Sequence, residues 1–149
     1  MSRWTTFTSE DLKAAGHGAI VDRARTLAVG GTDPVAEAIT GATARVRRAV
    51  APGNALDADP ARIPNSLREV ALRMALFALM ERIGLPLSDD QKETRRADLA
   101  DLGRLAEQRV RVEVPDTAED TPSVAGAGRT VGTVNPPRRQ TGRGKTSGL

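Results

Sequence analysis

The longest apolar pattern in the chain begins at Leu67 and ends at Gly84. Between Val70 and Met80 only Arg73 interrupts the apolar residues, and no Gly or Pro occurs among them. A run of this length exceeds an ordinary strand and is typical of a helix. We therefore predict a central helix here and expect the rest of the chain to pack around it.

The predicted central helix carries apolar side chains on two faces. Spacings of three and four residues place a first set on one face and a second set on another. The first set is Leu67, Val70, Met74 and Phe77, and the second set is Leu72, Leu76, Leu79 and Ile83. A helix that is apolar on two faces has to be covered on both, by its own chain or by a second copy.

Three flanking helices are predicted from their N-terminal signals. These signals are Thr8 or Ser9, Asp33 followed by Pro34, and Ser88 with Gln91 three residues later. Such residues accept or donate the bonds that the first turn of a helix leaves open. The last of these helices is expected to run to about Gln108, with a core stripe of Leu99, Leu102, Leu105 and Ala106. A weaker pattern over residues 20–29 predicts a short helix, with a strand as the alternative.

The C-terminal third of the chain changes character twice. Arg109–Val114 alternates strictly between charged and apolar residues, which predicts a strand. No second strand is visible, so we expect this one to pair with a partner chain or another copy. Residues 116–149 are rich in Pro, Gly, Thr, Ser and Arg without a periodic stripe, which is typical of a tail that becomes ordered only on a partner.

These elements define an all-α protein, a small bundle of four to five helices with one short C-terminal strand and an extended tail. We divide it into a helical domain, residues 1–115, and a basic tail, residues 116–149. Aromatic residues make up only 2% of the 149 residues, so the core depends on Leu, Ala, Val, Ile and Met. A lone subunit of this size with few large side chains would be modestly stable, and an oligomer would add burial.

The net positive charge is concentrated at the C-terminus. Residues 1–115 carry 17 basic and 16 acidic groups, whereas residues 116–149 carry 5 and 3, with no acidic side chain after Asp120. The candidate partner-docking residues are the valines of the unpaired predicted strand and the basic residues of the tail, namely Val110, Val112, Val114, Arg129, Arg138, Arg139, Arg143 and Lys145. A further cluster, Arg45, Arg47 and Arg48, is interpreted as a solvated helix end, with a phosphate or partner contact as the alternative.

No catalytic constellation is visible in the sequence. Cys and Tyr are absent, and the single histidine, His17, lies between two glycines and is interpreted as a surface residue. Asp57 and Asp59 lack the glycine and the glutamate that a calcium loop needs. Gly144-Lys145-Thr146 lacks the leading glycine and the strand of a phosphate loop. We expect no enzymatic activity, no cofactor, no metal and no membrane segment.

Three segments, taken in order, resemble the small α-helical head–tail adaptors (connectors) of long-tailed bacteriophages, including their Mu-like relatives. The segments are Phe7–Leu12, Pro34–Val50, and Ile63–Leu67 leading into the central helix that ends at Glu81-Arg82. They match the family's aromatic-Thr-x-x-Asp-Leu opening, its second long helix and its Pro-x-x-Leu start of a hydrophobic central helix. The family's Tyr-x-Leu-Pro-Leu segment is replaced here by Ala51-Pro52-Gly53-Asn54.

The resemblance implies a structural virion protein without enzymatic activity. Family members form a ring of about twelve subunits below the portal. The implied partners are other copies of this chain, the portal protein, a downstream neck or tail-terminator protein, and non-specific contact with DNA in the channel. The implied location is the neck of the virion, after assembly in the bacterial cytoplasm. The alternative is a small helical DNA-binding or regulatory protein that uses its basic C-terminal tail.

Overall fold

The computed structural model describes residues 2–118, and the fold is all-α with one very small sheet. The helices are α1 (Ser9–Leu12), α2 (Gly18–Thr26), α3 (Pro34–Val50), α4 (Arg68–Arg82) and α5 (Asp89–Ala106). A wide helical turn, Lys13–His17, joins α1 to α2, and a 3-10 turn, Asn65–Leu67, precedes α4. Two strands, β1 (Trp4–Thr5) and β2 (Ile63–Pro64), pair antiparallel. The predicted all-α class is confirmed.

The N-terminal signals act as predicted. Asp33 caps α3 by accepting a hydrogen bond from the backbone of Val35 at 3.0 Å. Ser88 and Gln91 form a reciprocal capping box at the start of α5. Thr8 caps α1, with its backbone N–H bonded to Asp11 at 2.7 Å. Each of these caps fixes the residue at which its helix begins.

The predicted central helix is α4, and glycine ends it as expected. Gly84 has a φ of +70°, which a residue without Cβ adopts at little cost. The next N–H, that of Leu85, reaches back to the carbonyl of Met80 at 2.8 Å, which closes the last turn. Leu85 then packs against the end of the bundle.

The chain itself covers α4 on two sides, through two separate apolar clusters. The first cluster contains Trp4, Phe7 and residues of α3 and α5, and the second contains residues of α1, α2 and the start of α3. Leu67, Val70, Leu72 and Met74 pack in the first cluster, and Leu72, Leu76, Phe77, Leu79 and Ile83 pack in the second. The two clusters therefore divide the helix along its length more than between the two predicted faces. Phe77, predicted on the first face, lies in the second cluster.

The helices α3, α4 and α5 are held in register by ion pairs at one end and in the middle. Glu37 at the start of α3 contacts Arg82 at the end of α4, so these two helices run antiparallel. Arg73 of α4 binds the carboxylate of Asp98 of α5 through two hydrogen bonds of 2.9 and 2.7 Å. This hydrogen bond raises the pKa of Arg73 above its ordinary value. Asp98 is buried, and its partner therefore explains why an arginine interrupts the central helix.

Two predictions for the last helix are corrected. Leu99 is 42% exposed, and it borders a groove lined by residues of α3, α4 and α5. Ala106 is exposed too, whereas Leu102 and Leu105 are buried as predicted. The buried charged residue on α5 is Asp98.

The predicted strand over Arg109–Val114 does not form among the described residues. Gln108 has a φ of +60°, and the N–H of Arg109 returns to the carbonyl of Arg104 at 3.0 Å. This left-handed turn ends α5 and redirects the chain. Residues 109–114 have no partner strand, because the only sheet among the described residues pairs β1 with β2. Alternation in the sequence predicted a strand here but could not supply a neighbouring strand for it to pair with.

The core assignment predicts a large effect at Leu79, which is fully buried. Leu79→Ala should lower the free energy of unfolding by about 2–5 kcal/mol, because the deletion leaves a cavity between α4 and α2. Ala78, one residue earlier and exposed, supplies the control: Ala78→Ser should change stability by less than about 0.5 kcal/mol. Urea denaturation followed by circular dichroism measures both. Equal stabilities for the two variants would contradict the assignment.

Candidate interaction surface

The segment after α5, which we call the strap (residues 109–118), lies across the N-terminal end of the chain. The indole N–H of Trp4 donates to the carbonyl of Glu113 at 2.8 Å. The hydroxyl of Ser66 donates to the Glu113 carboxylate at 2.7 Å. Trp4 is 1% exposed, so its N–H needs a partner inside the protein, and the strap provides it.

The end of the strap is held by two further sets of bonds. The carboxylate of Asp116 accepts from the hydroxyl of Ser2 at 2.7 Å and from the backbone of Arg3 at 3.1 Å. One residue later, the carbonyl of Thr117 accepts from the N–H of Ala58 at 2.8 Å. The strap is therefore fixed to the N-terminus and to the loop between α3 and β2.

Arg47 joins that loop to the aromatic core. Its guanidinium donates to the carbonyls of Asp57, Asp59 and Arg62, each at 2.9 Å. The same group lies 5.8 Å from the centre of the Trp4 ring, a distance at which a cation and an aromatic face attract. Our interpretation of Arg47 as part of a solvated helix end is therefore wrong, because its planar fork organises the loop. Its neighbours Arg45 and Arg48 are exposed.

Asp57 is the fully buried acid of the loop. One carboxylate oxygen accepts from the N–H of Asp59 at 3.0 Å and from the hydroxyl of Thr117 at 3.1 Å. The other oxygen has no hydrogen-bond partner among the described residues and lies 4.0 Å from the Arg62 guanidinium. Asp57 thus acts as a structural acceptor that ties the strap to the loop, and Arg62 offsets its charge.

One edge of the strap is open. Val110 and Val114 are 47% and 63% exposed, and Val112 is half-buried against the core. Within residues 2–118, no hydrogen bond reaches the backbone N–H or carbonyl of these three valines. The other five candidate docking residues, Arg129, Arg138, Arg139, Arg143 and Lys145, lie outside the described residues.

A groove of about 320 Å³ opens between α3 and α5 above α4. Its floor contains Met74 and Phe77, and its walls contain Gly41, Arg45 and Leu99. Small side chains on α3 leave this space open, since a Cβ at Gly41 would meet nothing within 4 Å. The groove lining is mixed, with apolar residues beside Glu37, Glu81, Arg82 and Arg95, and it holds no nucleophile beside a base.

Chemistry that needs clustered ligands has little support in the part of the chain that the structure describes. Within residues 2–118, no group of three or more His, Cys, Asp or Glu side chains is placed to hold a metal ion. His17 is half-exposed in the turn between α1 and α2. Across the same residues, none of the helices combines the length and the apolar character needed to cross a membrane.

Comparison with known proteins gives no relative. No family model, no curated protein and no solved structure matches this chain. The fold and the strap therefore carry the functional argument together with the motifs of the sequence.

The network around Trp4 was not found from the sequence, although two signals pointed to it. Trp4 is one of only three aromatic residues, which makes it a strong candidate for burial. Arg47 lies at a position of α3 that faces the loop, and the loop's turn residues leave carbonyls that need donors. The bond from Trp4 to Glu113 spans 109 residues, and no local pattern encodes it.

Arg47→Lys tests the network. Lysine carries a single compact ammonium group and cannot reach three carbonyls in a fixed plane, so we expect a loss of about 1–3 kcal/mol in the free energy of unfolding. Arg48→Lys, on the exposed side of the same helix, should cost less than about 0.5 kcal/mol. Hydrogen exchange at the Ala58 amide should accelerate only in the Arg47 variant. Unchanged exchange there would contradict the role of Arg47.

A pH dependence follows from Asp116. The hydroxyl of Ser2, then the N–H of Arg3, stabilise its ionised form and hold the pKa of Asp116 below its ordinary value of 3.8. Since this pKa is lower in the folded chain, the contribution to stability is complete above 3.8 and is lost as the pH falls through the lowered pKa. The Arg3 amide proton shift, followed by NMR, should titrate with a midpoint below 3.8 and stop titrating in Asp116→Asn. A midpoint at or above 3.8 would contradict the bond.

Proposed function

We propose that this chain is a structural assembly protein, a head–tail adaptor that forms a ring between the portal and the neck or tail of a bacteriophage. The single observation that carries this proposal is the strap. The strap is bonded to the bundle at Glu113, Asp116 and Thr117, and its valine backbone groups have no hydrogen-bond partner within residues 2–118. An element of this kind suits a protein whose task is to join others.

The bundle supports the same reading. The two clusters on α4 are filled by this chain's own residues, so a subunit can fold before it meets a partner. The helix order and caps agree with the three segments that resemble the adaptor family. In the proposed ring, the helices form the wall around the DNA channel, and the strap and tail reach a neighbouring subunit or the portal.

The tail sets an energetic condition on assembly. Residues 119–149 comprise 149 − 118 = 31 residues, and fixing each backbone costs about 1–2 kcal/mol. Holding all of these residues on a partner would therefore require an extensive surface. We propose that the portal or a downstream neck protein supplies that surface at the head–tail interface of the virion, after assembly in the host cytoplasm.

Co-sedimentation with the portal protein of the same phage tests this function. The full chain should sediment with portal rings, and a chain that ends at Ala118 should remain folded by circular dichroism but bind at least about tenfold more weakly. Ending at Ala118 preserves the bonds of Asp116 and Thr117, so the fold is a matched control. Absence of binding by the full chain would overturn the adaptor proposal, and equal binding by both chains would overturn the role of the tail.

A second candidate is a DNA-binding or regulatory protein. It is favoured by the acid-free stretch after Asp120, which carries five basic residues. Such a tail contacts the phosphate backbone without reading bases, because it has no aromatic side chain to stack on them. A DNA mobility shift at low salt that disappears in the chain ending at Ala118 would support it, and no shift at low salt would end it.

A further inference from the structure

The open edge of the strap has a defined chemical pattern. Three valines alternate with charged residues, in the order Arg109, Val110, Arg111, Val112, Glu113, Val114. The valine backbone groups have no hydrogen-bond partner within residues 2–118. Unpaired N–H and carbonyl groups along an alternating segment form a template for another strand.

The bond to Trp4 indicates which edge is available. In an antiparallel pair, a hydrogen-bonded residue exchanges both its N–H and its carbonyl with its counterpart, so both groups of one residue point to one edge. The carbonyl of Glu113 points inward to Trp4. Arg109 and Val110 lie in a bend, whereas residues 111–115 contain neither a turn nor a bend. With residues 111–115 extended, successive residues point to opposite edges, so the backbone groups of Val112 and Val114 point outward.

The pattern is complementary to itself in one register. If two straps run antiparallel with Val112 opposite the Val112 of a second copy, Val110 lies opposite the second copy's Val114. In the same register Arg111 lies opposite the second copy's Glu113, and the reverse pair follows by symmetry. Cross-strand apolar pairs and opposite charges both stabilise such a ladder. In this register the three valines occupy the hydrogen-bonded positions, and their backbone groups have no hydrogen-bond partner within residues 2–118.

We propose that two copies of this chain associate through their straps as an antiparallel two-stranded ladder centred on Val112. The contact is two-fold symmetric, so it closes at two copies. Val110 and Val114, exposed in the single chain, become covered, and each Arg111 gains the second copy's Glu113. Other partner strands would lack this matched arrangement of charges. A two-fold contact cannot join neighbours in a cyclic ring, so this pairing describes the free chain before ring assembly, and it does not depend on the adaptor function.

Charge reversal tests the register by sedimentation velocity of the full chain at low and high protein concentration. The parent protein should dimerise. Arg111→Glu places two carboxylates opposite each other on both sides of the central Val112 pair. Glu113→Arg places two guanidinium groups opposite each other at the same positions. Each should weaken the dimer about tenfold or more. The double variant Arg111→Glu/Glu113→Arg should restore it, and an equal mixture of the two single variants should form a mixed dimer.

Folding is controlled separately in this experiment. Arg111 is exposed, and the bond from Trp4 uses the backbone carbonyl of Glu113, so neither substitution removes a core contact. Glu113→Arg does remove the surface bond that the Ser66 hydroxyl donates to the Glu113 carboxylate. Circular dichroism and thermal melting at low concentration should therefore match the parent for Arg111→Glu and show only a small loss of stability for Glu113→Arg. A parent that stays monomeric at high concentration, or dimers that ignore the charge reversals, would overturn the proposal.

Cysteine cross-linking provides a second readout, since the natural chain has no cysteine. Hydrogen-bonded antiparallel residues have Cα atoms about 5.5 Å apart, within the range for a disulfide. Val112→Cys should cross-link to itself on mild oxidation. Val110→Cys alone should not, but a mixture with Val114→Cys should. Rapid self-linking of Val110→Cys, or none by Val112→Cys, would overturn the register. These outcomes are independent of portal binding, so the two proposals can fail separately.

Discussion

Burial of α4 on two sides is the constraint on which the rest of the structure depends. Its apolar residues cannot face water on either side, and α3, α5 and the N-terminal strand cover one side while α1 and α2 cover the other. The one charged residue in its middle, Arg73, is tolerated because Asp98 of α5 meets it with two hydrogen bonds. A chain with few aromatic residues thus obtains a core by wrapping aliphatic side chains around one helix.

This arrangement separates the folded part of the molecule from the part that can join others. The strap is attached to the bundle by its Glu113, Asp116 and Thr117 positions, and the side chains of Val110 and Val114 remain exposed. The attachment consists of hydrogen bonds, whereas the core consists of two apolar clusters on the sides of α4. A structural protein that assembles with partners needs both properties, a subunit that folds alone and an edge that is incomplete. That combination favours the adaptor proposal over a catalytic one.

The sequence predicted the elements whose causes are local. Asp33, Ser88 and Gly84 act within one helical turn, and they mark the helix ends in the structure. It did not predict partners that are distant along the chain. The alternation over Arg109–Val114 was real, yet the turn at Gln108 and the lack of a neighbouring strand left it without a ladder. Likewise Leu99 fits the helical stripe but is exposed at the border of a groove, because which residues of a stripe are covered depends on tertiary packing.

Native-state hydrogen exchange over a range of protein concentrations tests the account most directly, because it reads the core and the strap edge in one experiment. The amides of α4 should be among the slowest to exchange, at a rate independent of concentration, since this chain alone covers that helix. The amides of Val110, Val112 and Val114 should exchange rapidly at high dilution and slow down as the concentration rises. Protection of α4 that disappears on dilution would contradict the account, because the cover would then come from another copy.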